Sequence, residues 1–235
     1  MRLFKVDKSQ LIQVDRDPFK LEKHIQQLVE ENLSTLFDLQ FVVSEFKVGE
    51  FRIDTLAFDE SSHSFVIIEY KKGSSYSVVD QGYSYLSTMM NNKADFILEY
   101  NEKKENPLRR NQIDWTSSRV IFIAPSFNSY QRNSVNFSDV PFELWEIRKF
   151  EGDLITLDRL ESSSSESIEK VVAKKEDSVI KKVNSEVKLM TVAEYEKRLE
   201  RDFLLLWSSL KERLCKLDGG KFYAKKHYIA FSKDG

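Results

Sequence analysis

Residues 51–86 read FRIDTLAFDESSHSFVIIEYKKGSSYSVVDQGYSYL, and this stretch specifies the centre of the fold. Two runs rich in apolar residues, 51–58 and 65–71, flank the polar turn DESSHS and predict a hairpin of two strands. Ser77 is a typical N-cap residue, so we expect a helix from Val78 to about Met90. The pattern therefore predicts a strand–strand–helix unit.

The second strand of this unit ends with two charged residues on one face. Side chains alternate along a strand, so Glu69 and Lys71 point to the same side. If Phe58 lies opposite Phe65 across the hairpin, Asp54 lies opposite Glu69. A slip of one residue in this register would reverse the faces.

Two carboxylates at adjacent positions of a sheet repel each other unless positive charge lies between them. Hard carboxylate oxygens suit Mg²⁺ or Mn²⁺, so Asp54 and Glu69 are candidate metal ligands. Lys71 points into the same space, where it could orient or deprotonate a water molecule or stabilise a phosphorane. The same register places Arg52 opposite Lys71. Arg52 and Lys72 are candidate phosphate contacts, although basic residues at exposed strand ends are usually just solvated.

The predicted helix adds two polar groups to this region. Gln81 and Tyr85 are four residues apart, so they share one helix face near its N-terminal end. Both follow closely on Lys71. We expect them to hydrogen-bond the acids of the site or a phosphate, with an ordinary solvated helix face as the alternative.

These residues, in this order, resemble a known superfamily. Asp54, then Glu69-Tyr70-Lys71, then Gln81 and Tyr85 resemble the PD-(D/E)XK nucleases, in the branch whose QxxxY helix is shared with RecB-like nucleases. The sequence RID…VIIEYKK, from residues 52–54 and 66–72, is similar to that of mismatch endonucleases of the NucS type. The resemblance covers roughly residues 15 to 130. It implies an α/β fold with a restriction-endonuclease-like core, in which helices flank a central mixed sheet.

The resemblance also implies an activity, namely Mg²⁺- or Mn²⁺-dependent hydrolysis of DNA phosphodiester bonds by an endonuclease. It assigns roles as follows: metal ligation by Asp54, Glu69 and the Tyr70 carbonyl, catalysis by Lys71, and support of the site by Gln81 and Tyr85. One departure is that Ile53 replaces the Pro of the motif, which has no chemical role.

Members of this superfamily often have a further acid on the first helix, which we expect at residues 20–37. Glu22 borders the apolar stripe of that helix, whereas Glu30 is expected to point away from it. Glu22 is therefore the candidate for an additional acid, and a solvated helix position is the alternative.

The chain divides by composition into three parts. We expect a nuclease-like domain over 1–160, a Ser-, Lys- and Glu-rich linker over 161–188, and an incomplete C-terminal domain over 189–235. The last part is a partial helical tail, predicted as a helix over 192–217 and a strand over 228–231. Further predicted elements are a hairpin within 3–14, strands at 41–47, 96–100 and 119–124, a short helix at 128–138, and a hairpin of 142–150 and 154–160.

Bulk properties limit the possible functions. The net charge of −2 gives no argument for a nucleic-acid partner, so any DNA site would have to be a local basic patch. The single cysteine excludes an internal disulfide and a cysteine-based zinc cluster. The sequence has neither a signal peptide nor an apolar stretch of about 18 residues that would span a membrane, so we expect a cytoplasmic protein.

Other interpretations stay open at this point. The acids and the lysine could be an ordinary surface ion-pair network. The fold could also persist without activity, as a nucleic-acid-binding or scaffold module of a defence or repair system. Cleavage of both DNA strands would favour a homodimer, and the C-terminal tail could bind another protein.

Overall fold

The centre of the molecule is a mixed six-stranded sheet. The computed structural model describes residues 2–72, 77–135, 140–160, 178–187, 192–216, 220–224 and 229–233. The sheet has the order β3-β4-β5-β6-β7-β8, formed by Gln40–Val48, Phe51–Asp59, Ser64–Tyr70, Arg119–Ala124, Phe142–Phe150 and Leu154–Leu160. The pairs β5–β6 and β6–β7 are parallel, and the other pairs are antiparallel.

Helices cover both faces of this sheet. On one face lie α1 (Glu22–Glu31) and α2 (Leu33–Phe37), and on the other lie α3 (Val78–Asn91) and α4 (Lys93–Lys103). A short α5 (Ser129–Ser134) and two short 3-10 helices, Arg110–Gln112 and Trp115–Ser117, complete this part. The mixed sheet between two helical layers confirms the predicted α/β fold class.

The strand β5 is buried along its whole length, which explains its apolar sequence. On one face, Val66 and Ile68 pack with Ile25 and Val29 of α1. On the opposite face, Phe65 and Ile67 belong to the core formed with α3 and α4. Glu69 is thus the one acid in a strand that otherwise fills both cores, and its burial requires partners.

The predicted strand at 96–100 is wrong, because this segment lies within α4. Phe96 and Tyr100 are four residues apart and buried, whereas Leu98 between them is exposed. That is the burial pattern of a helix, with one face against the core. A short apolar run does not distinguish strand from helix by periodicity, which accounts for the error.

The predicted first helix is interrupted at Asn32. Its side-chain Nδ2 donates to the Leu28 carbonyl at 2.8 Å, and α1 ends one residue before it. A second helix, α2, begins at Leu33. Leu21, within the range predicted for the first helix, is exposed and precedes α1.

Part of the segment predicted as a linker is folded. Residues Ser178–Glu186 form α6, whose Val183 is buried in the same core as α3, together with Val187 just beyond the helix. Lys93 Nζ lies 2.6 Å from Glu186 Oε2, which ties α6 to α4. Residues 161–177 and 188 of the predicted linker lie outside the described residues.

The C-terminal tail consists of α7 (Val192–Glu196), α8 (Arg201–Cys215) and an antiparallel pair, β9 (Gly220–Ala224) and β10 (Ile229–Lys233). The predicted single helix is therefore two helices, and β9 was not predicted. Trp207 packs edge-on against Phe222, with ring centroids 5.4 Å apart. The predicted strand at 228–231 corresponds to β10, which pairs with β9.

The chain begins with the predicted hairpin, formed by β1 (Leu3–Asp7) and β2 (Gln10–Val14). Among the described residues, no helix has the length and apolar character needed to cross a membrane.

Candidate active site

The site forms where β4 and β5 separate. Their antiparallel pairing includes Phe58 opposite Phe65, as predicted, but it ends at Thr55 opposite Ile68, so the predicted strand pair of Asp54 and Glu69 does not form. Beyond that pair, the Asp54 carboxylate bridges the gap, because its Oδ2 accepts the Tyr70 N–H at 3.1 Å. A side chain thus takes the place of a strand partner at the end of β5.

Three successive backbone amides at this end have three different partners. The Tyr70 amide donates to Asp54, and the Lys71 amide donates to the Ile123 carbonyl of β6 at 2.9 Å. The Lys72 amide donates to Glu22 Oε1 at 2.5 Å. The predicted additional acid, Glu22, therefore lies at the same gap, two residues along the strand from the Asp54 contact.

Glu22 does not join Asp54 and Glu69 in a three-acid cluster. Within the described part of the chain, no three Asp, Glu, His or Cys side chains lie close enough together to hold a metal ion. Any cation here would therefore rely on two carboxylates and backbone oxygen. A role for Glu22 as a ligand stays a prediction.

Glu69 is the centre of a hydrogen-bonded cluster. Its Oε1 accepts from Lys71 Nζ at 2.6 Å and from Gln81 Nε2 at 2.8 Å. Its Oε2 accepts from the Tyr85 hydroxyl at 2.9 Å, and Gln81 Nε2 also donates to that hydroxyl at 2.9 Å. The structure therefore brings the predicted lysine, glutamine and tyrosine onto one buried carboxylate.

The start of α3 places Gln81 and Tyr85 against Glu69. Ser77 is the N-cap, and its hydroxyl accepts the Asp80 N–H at 3.3 Å. Gly82 then allows the helix to approach β7, because a Cβ at that position would lie 2.5 to 2.9 Å from three ring atoms of Phe142. Such contacts are too short for any side chain, so the close approach requires glycine.

Charge and burial shift the ionisation of the site. Burial is the main cause that raises the pKa of Asp54 from 3.8 to about 7, and the charge of Glu69 adds to it. The Tyr70 N–H and the Lys71 ammonium act in the opposite direction. Burial, followed by the charge of Glu69, raises the pKa of Tyr85, which keeps its hydroxyl a hydrogen-bond donor.

The two predicted phosphate contacts lie elsewhere. Arg52 is opposite Lys47 on β3, and its Nε lies 2.9 Å from Glu45 Oε2. The predicted opposition of Arg52 and Lys71 is therefore wrong, since β4 has left β5 before that point. The Lys72 ammonium donates to the Lys20 carbonyl. Phosphate binding by either residue stays a prediction.

The sequence argument missed a partly buried acid, Glu30, behind the site. Glu30 was expected to point away from the apolar stripe of α1, but its Oε1 accepts from Thr55 Oγ1 at 2.5 Å and from Gln26 Nε2 at 2.9 Å. The available signal was the spacing, because Gln26 and Glu30 are four apart and adjoin the core positions Ile25 and Val29.

Comparison with known proteins gives one strong sequence relative. An uncharacterised protein of Haemophilus influenzae is 44% identical over 239 aligned positions, which include 100% of this chain and 78% of that protein. No family model matches the sequence.

Solved structures show only distant likeness. A repair endonuclease from Pyrococcus abyssi has 18% identity and a TM-score of 0.34, over 50% of this chain and 43% of that one. EndoMS in complex with double-stranded DNA has 16% identity and a TM-score of 0.35, over 62% of this chain and 64% of that one. SfsA of Pyrococcus furiosus, in complex with Ca²⁺, has 14% identity and a TM-score of 0.32, over 68% of this chain and 75% of that one. The matched region covers less than half of the Pyrococcus abyssi protein.

Proposed function

The chain belongs to the same family as an uncharacterised protein of Haemophilus influenzae. We propose a function for it from the geometry of its own residues. The proposed function is that of a metal-dependent endonuclease, which hydrolyses DNA phosphodiester bonds with Mg²⁺ or Mn²⁺. The observation that carries this proposal is the Glu69 cluster: one buried carboxylate bonded by Lys71, Gln81 and Tyr85, with Asp54 beside it.

The donor set fits a small divalent cation. Asp54 and Glu69 supply two carboxylates for one ammonium, that of Lys71, so a bound cation would balance the second negative charge. Burial, and next the charge of Glu69, raises the pKa of Asp54, and a cation between the two acids would offset both effects. A carboxylate has about four lone-pair positions, and the three donors at Glu69 leave one of them, on Oε2. Asp54, Glu69 and the Tyr70 carbonyl would hold Mg²⁺ or Mn²⁺, which prefer oxygen ligands.

Each side chain then has a defined task. A bound cation supplies Lewis acidity and neutralises charge on the phosphate. Lys71 orients the attacking water and stabilises the negative charge that develops as the new P–O bond forms and the leaving P–O bond breaks. Gln81 and Tyr85 fix both oxygens of Glu69, so that the carboxylate keeps one orientation during the reaction.

A second candidate function is a nucleic-acid-binding or scaffold module that keeps the fold without cutting. It is favoured by one observation, namely that Glu69 obtains three hydrogen bonds from the chain itself. Because these three donors already stabilise its negative charge, the Glu69 carboxylate does not require a cation to be buried. The two candidates differ in whether the site binds a metal and breaks a bond.

The test is cleavage of supercoiled plasmid with Mg²⁺ or Mn²⁺ by wild type, Glu69→Gln and Lys71→Met. Both substitutions keep the side-chain volume and remove the charge. We expect nicked or linear products from the wild type and a loss of about 10²-fold or more in each variant. Equal activity in all three proteins contradicts the mechanism.

Matched controls use the same changes at residues outside the Glu69 cluster. Glu31→Gln alters an exposed carboxylate of α1 that accepts from Gln27. Lys93→Met removes the ammonium paired with Glu186. Both controls are expected to cleave like the wild type. Plasmid binding without cleavage by the wild type would instead support the scaffold candidate.

Assembly and partners are separate parts of the proposal. Cutting both strands of a duplex by one such site per chain favours a homodimer, which the ratio of linear to nicked product reports. The tail formed by 192–233 exposes Phe203, Leu206 and Leu210 on α8 and is proposed to contact another protein. A chain ending before residue 189 that keeps full activity would separate that contact from cleavage.

A further inference from the structure

Asp54 is the one residue of β4 that pairs with neither neighbouring strand. Pairing with β5 ends at Thr55. Pairing with β3 continues from Ser44 opposite Thr55 to Phe46 opposite Ile53 and omits Asp54. Glu45, the residue that would face it, has a φ of 56°, a left-handed conformation that glutamate rarely adopts. The backbone of Asp54 therefore lacks the usual ladder partners.

Gln26 of α1 supplies a partner from outside the sheet. Its Nε2 donates to the Asp54 carbonyl at 2.9 Å, and it also lies 3.0 Å from Ser44 Oγ and 2.9 Å from Glu30 Oε1. The side chain is 4% exposed, so little water competes for these acceptors. A carbonyl in such a place needs a donor, and Gln26 provides it.

The same amide joins three elements around Asp54. Ser44 belongs to β3, the Asp54 carbonyl to β4, and Glu30 to α1. Lys23 Nζ donates to Gln26 Oε1 at 3.2 Å, which fixes the orientation of the amide. With its carbonyl held by Gln26, the backbone at Asp54 is fixed, and from this backbone the carboxylate reaches the Tyr70 N–H.

We propose that Gln26 is a positioning residue, which replaces the missing strand partner of Asp54 and thereby directs the Asp54 carboxylate onto the Tyr70 amide in the gap between β4 and β5. Gln26 makes no contact with Glu69 among the hydrogen bonds of the described residues. It acts through the backbone of Asp54. Its consequence for cation binding rests on the proposed function, whereas the positioning itself does not.

The first experiment needs no cation. Backbone amide exchange, followed by NMR in metal-free buffer, compares wild type with Gln26→Met, which keeps the volume of the side chain and loses its donors. We expect the Tyr70 amide to exchange about tenfold faster in the variant, since its acceptor is displaced. The Lys71 amide, which donates to Ile123 on the other side of β5, is expected to keep its wild-type rate.

Two further variants complete the design. Gln27→Met makes the same change one position along α1, where the exposed amide donates to Glu31, and it should leave the Tyr70 rate unchanged. Gln26→Leu also removes the donors, with a different shape and without adding a charge beside Glu30. It tests the same loss of donors should the methionine variant fail to fold.

The second measurement is Mn²⁺ binding by calorimetry, in which we expect Gln26→Met to bind about tenfold more weakly than wild type and Gln27→Met to bind equally. An unchanged Tyr70 rate in folded Gln26→Met overturns the proposal, and so does an equal acceleration of Tyr70 and Lys71, which would mark general loosening. Selective acceleration at Tyr70 supports it. Absence of Mn²⁺ binding in the wild type would instead overturn the metal site of the proposed function.

Discussion

The Tyr85 hydroxyl donates to Glu69 Oε2 at 2.9 Å, and this bond ties the third helix to the central strand. We expect Tyr85→Phe to lower the cleavage rate about 10- to 100-fold, because Glu69 loses a donor that fixes its orientation. Stability should change little, since the ring keeps its edge-on contact with Phe51. The control is Tyr100→Phe, which removes a hydroxyl bonded to Gln40 away from the site. Equal rates for the two variants would contradict the prediction.

Cation binding should strengthen with rising pH. The pKa of Asp54 is raised to about 7, so below that pH a cation must displace a proton from it. We expect the Mn²⁺ affinity of the wild type to fall about tenfold per pH unit below 7 and to level off above 8. Calorimetry in buffers between about pH 5.5 and 8.5 measures this dependence. An affinity that is constant over that range would show that Asp54 is not a ligand.

The same group predicts how stability depends on pH without a cation. The pKa of Asp54 is higher in the folded protein than its usual 3.8. Its contribution to the free energy of unfolding is therefore fully present below pH 3.8 and is lost as pH rises through about 7. Asp54→Asn removes this loss and should raise the free energy of unfolding near pH 8 by about 2 kcal/mol, roughly half the value of the full shift. Urea unfolding at two pH values tests this.

A control for that measurement has the opposite sign. Hydrogen bonding and charge from Lys149 lower the pKa of Asp17, an exposed residue. Asp17→Asn should therefore give no gain in stability at high pH. A gain for Asp17→Asn as large as that for Asp54→Asn would show that general surface charge, and not the site, is responsible.

Gly82 should be intolerant of even a methyl group. Gly82→Ala places a Cβ within 2.9 Å of the Phe142 ring, so α3 or β7 must move. We expect a destabilisation of about 1 to 3 kcal/mol in chemical unfolding, in spite of the better helix propensity of alanine. Cleavage should also weaken, because Gln81 precedes this residue. Ser84→Ala, at a partly buried position of the same helix, serves as the control, and a stability gain in Gly82→Ala would refute the close approach.

The helix α6 should belong to the folded unit of the sheet. Val183 is 1% exposed in the core shared with α3, and we expect Val183→Ala to lower the free energy of unfolding by about 2 kcal/mol. Val179→Ala on the same helix removes the same atoms from a position that is 40% exposed, and it should cost little. Equal stability of the two variants would favour a boundary near residue 160.

The arrangement of the site followed from the sequence where local rules are strong. Alternation placed Glu69 and Lys71 on one face, and helical spacing placed Gln81 and Tyr85 together. The turn between 58 and 65 set the register of the hairpin correctly. These inferences depend on residues close in sequence, whose geometry is fixed by a single element or turn.

What the sequence could not show depends on tertiary contacts. The separation of β4 and β5 beyond Thr55 moves Arg52 away from Lys71, and no local pattern signals it. The spacing of Phe96 and Tyr100 is compatible with a strand or with a helix, and only their packing in the core distinguishes the two. The apolar residues Ile180, Val183 and Val187 are few and lie among Ser, Lys and Glu. The composition therefore predicted a linker, and the helix is evident only from its packing against the core.

The hydrogen bond between Asp54 and the Tyr70 amide has a consequence for how the stability of the protein depends on metal ions. Asp54 and Glu69 accept hydrogen bonds from donors within the chain, so we expect the protein to fold without a metal ion. A zinc finger, in contrast, unfolds when a chelator removes its metal. Under the proposed function, treatment with EDTA would therefore inhibit cleavage reversibly and leave the abundance and protease resistance of the protein unchanged. The Mg²⁺ concentration would then limit the rate of cleavage and not the stability of the fold.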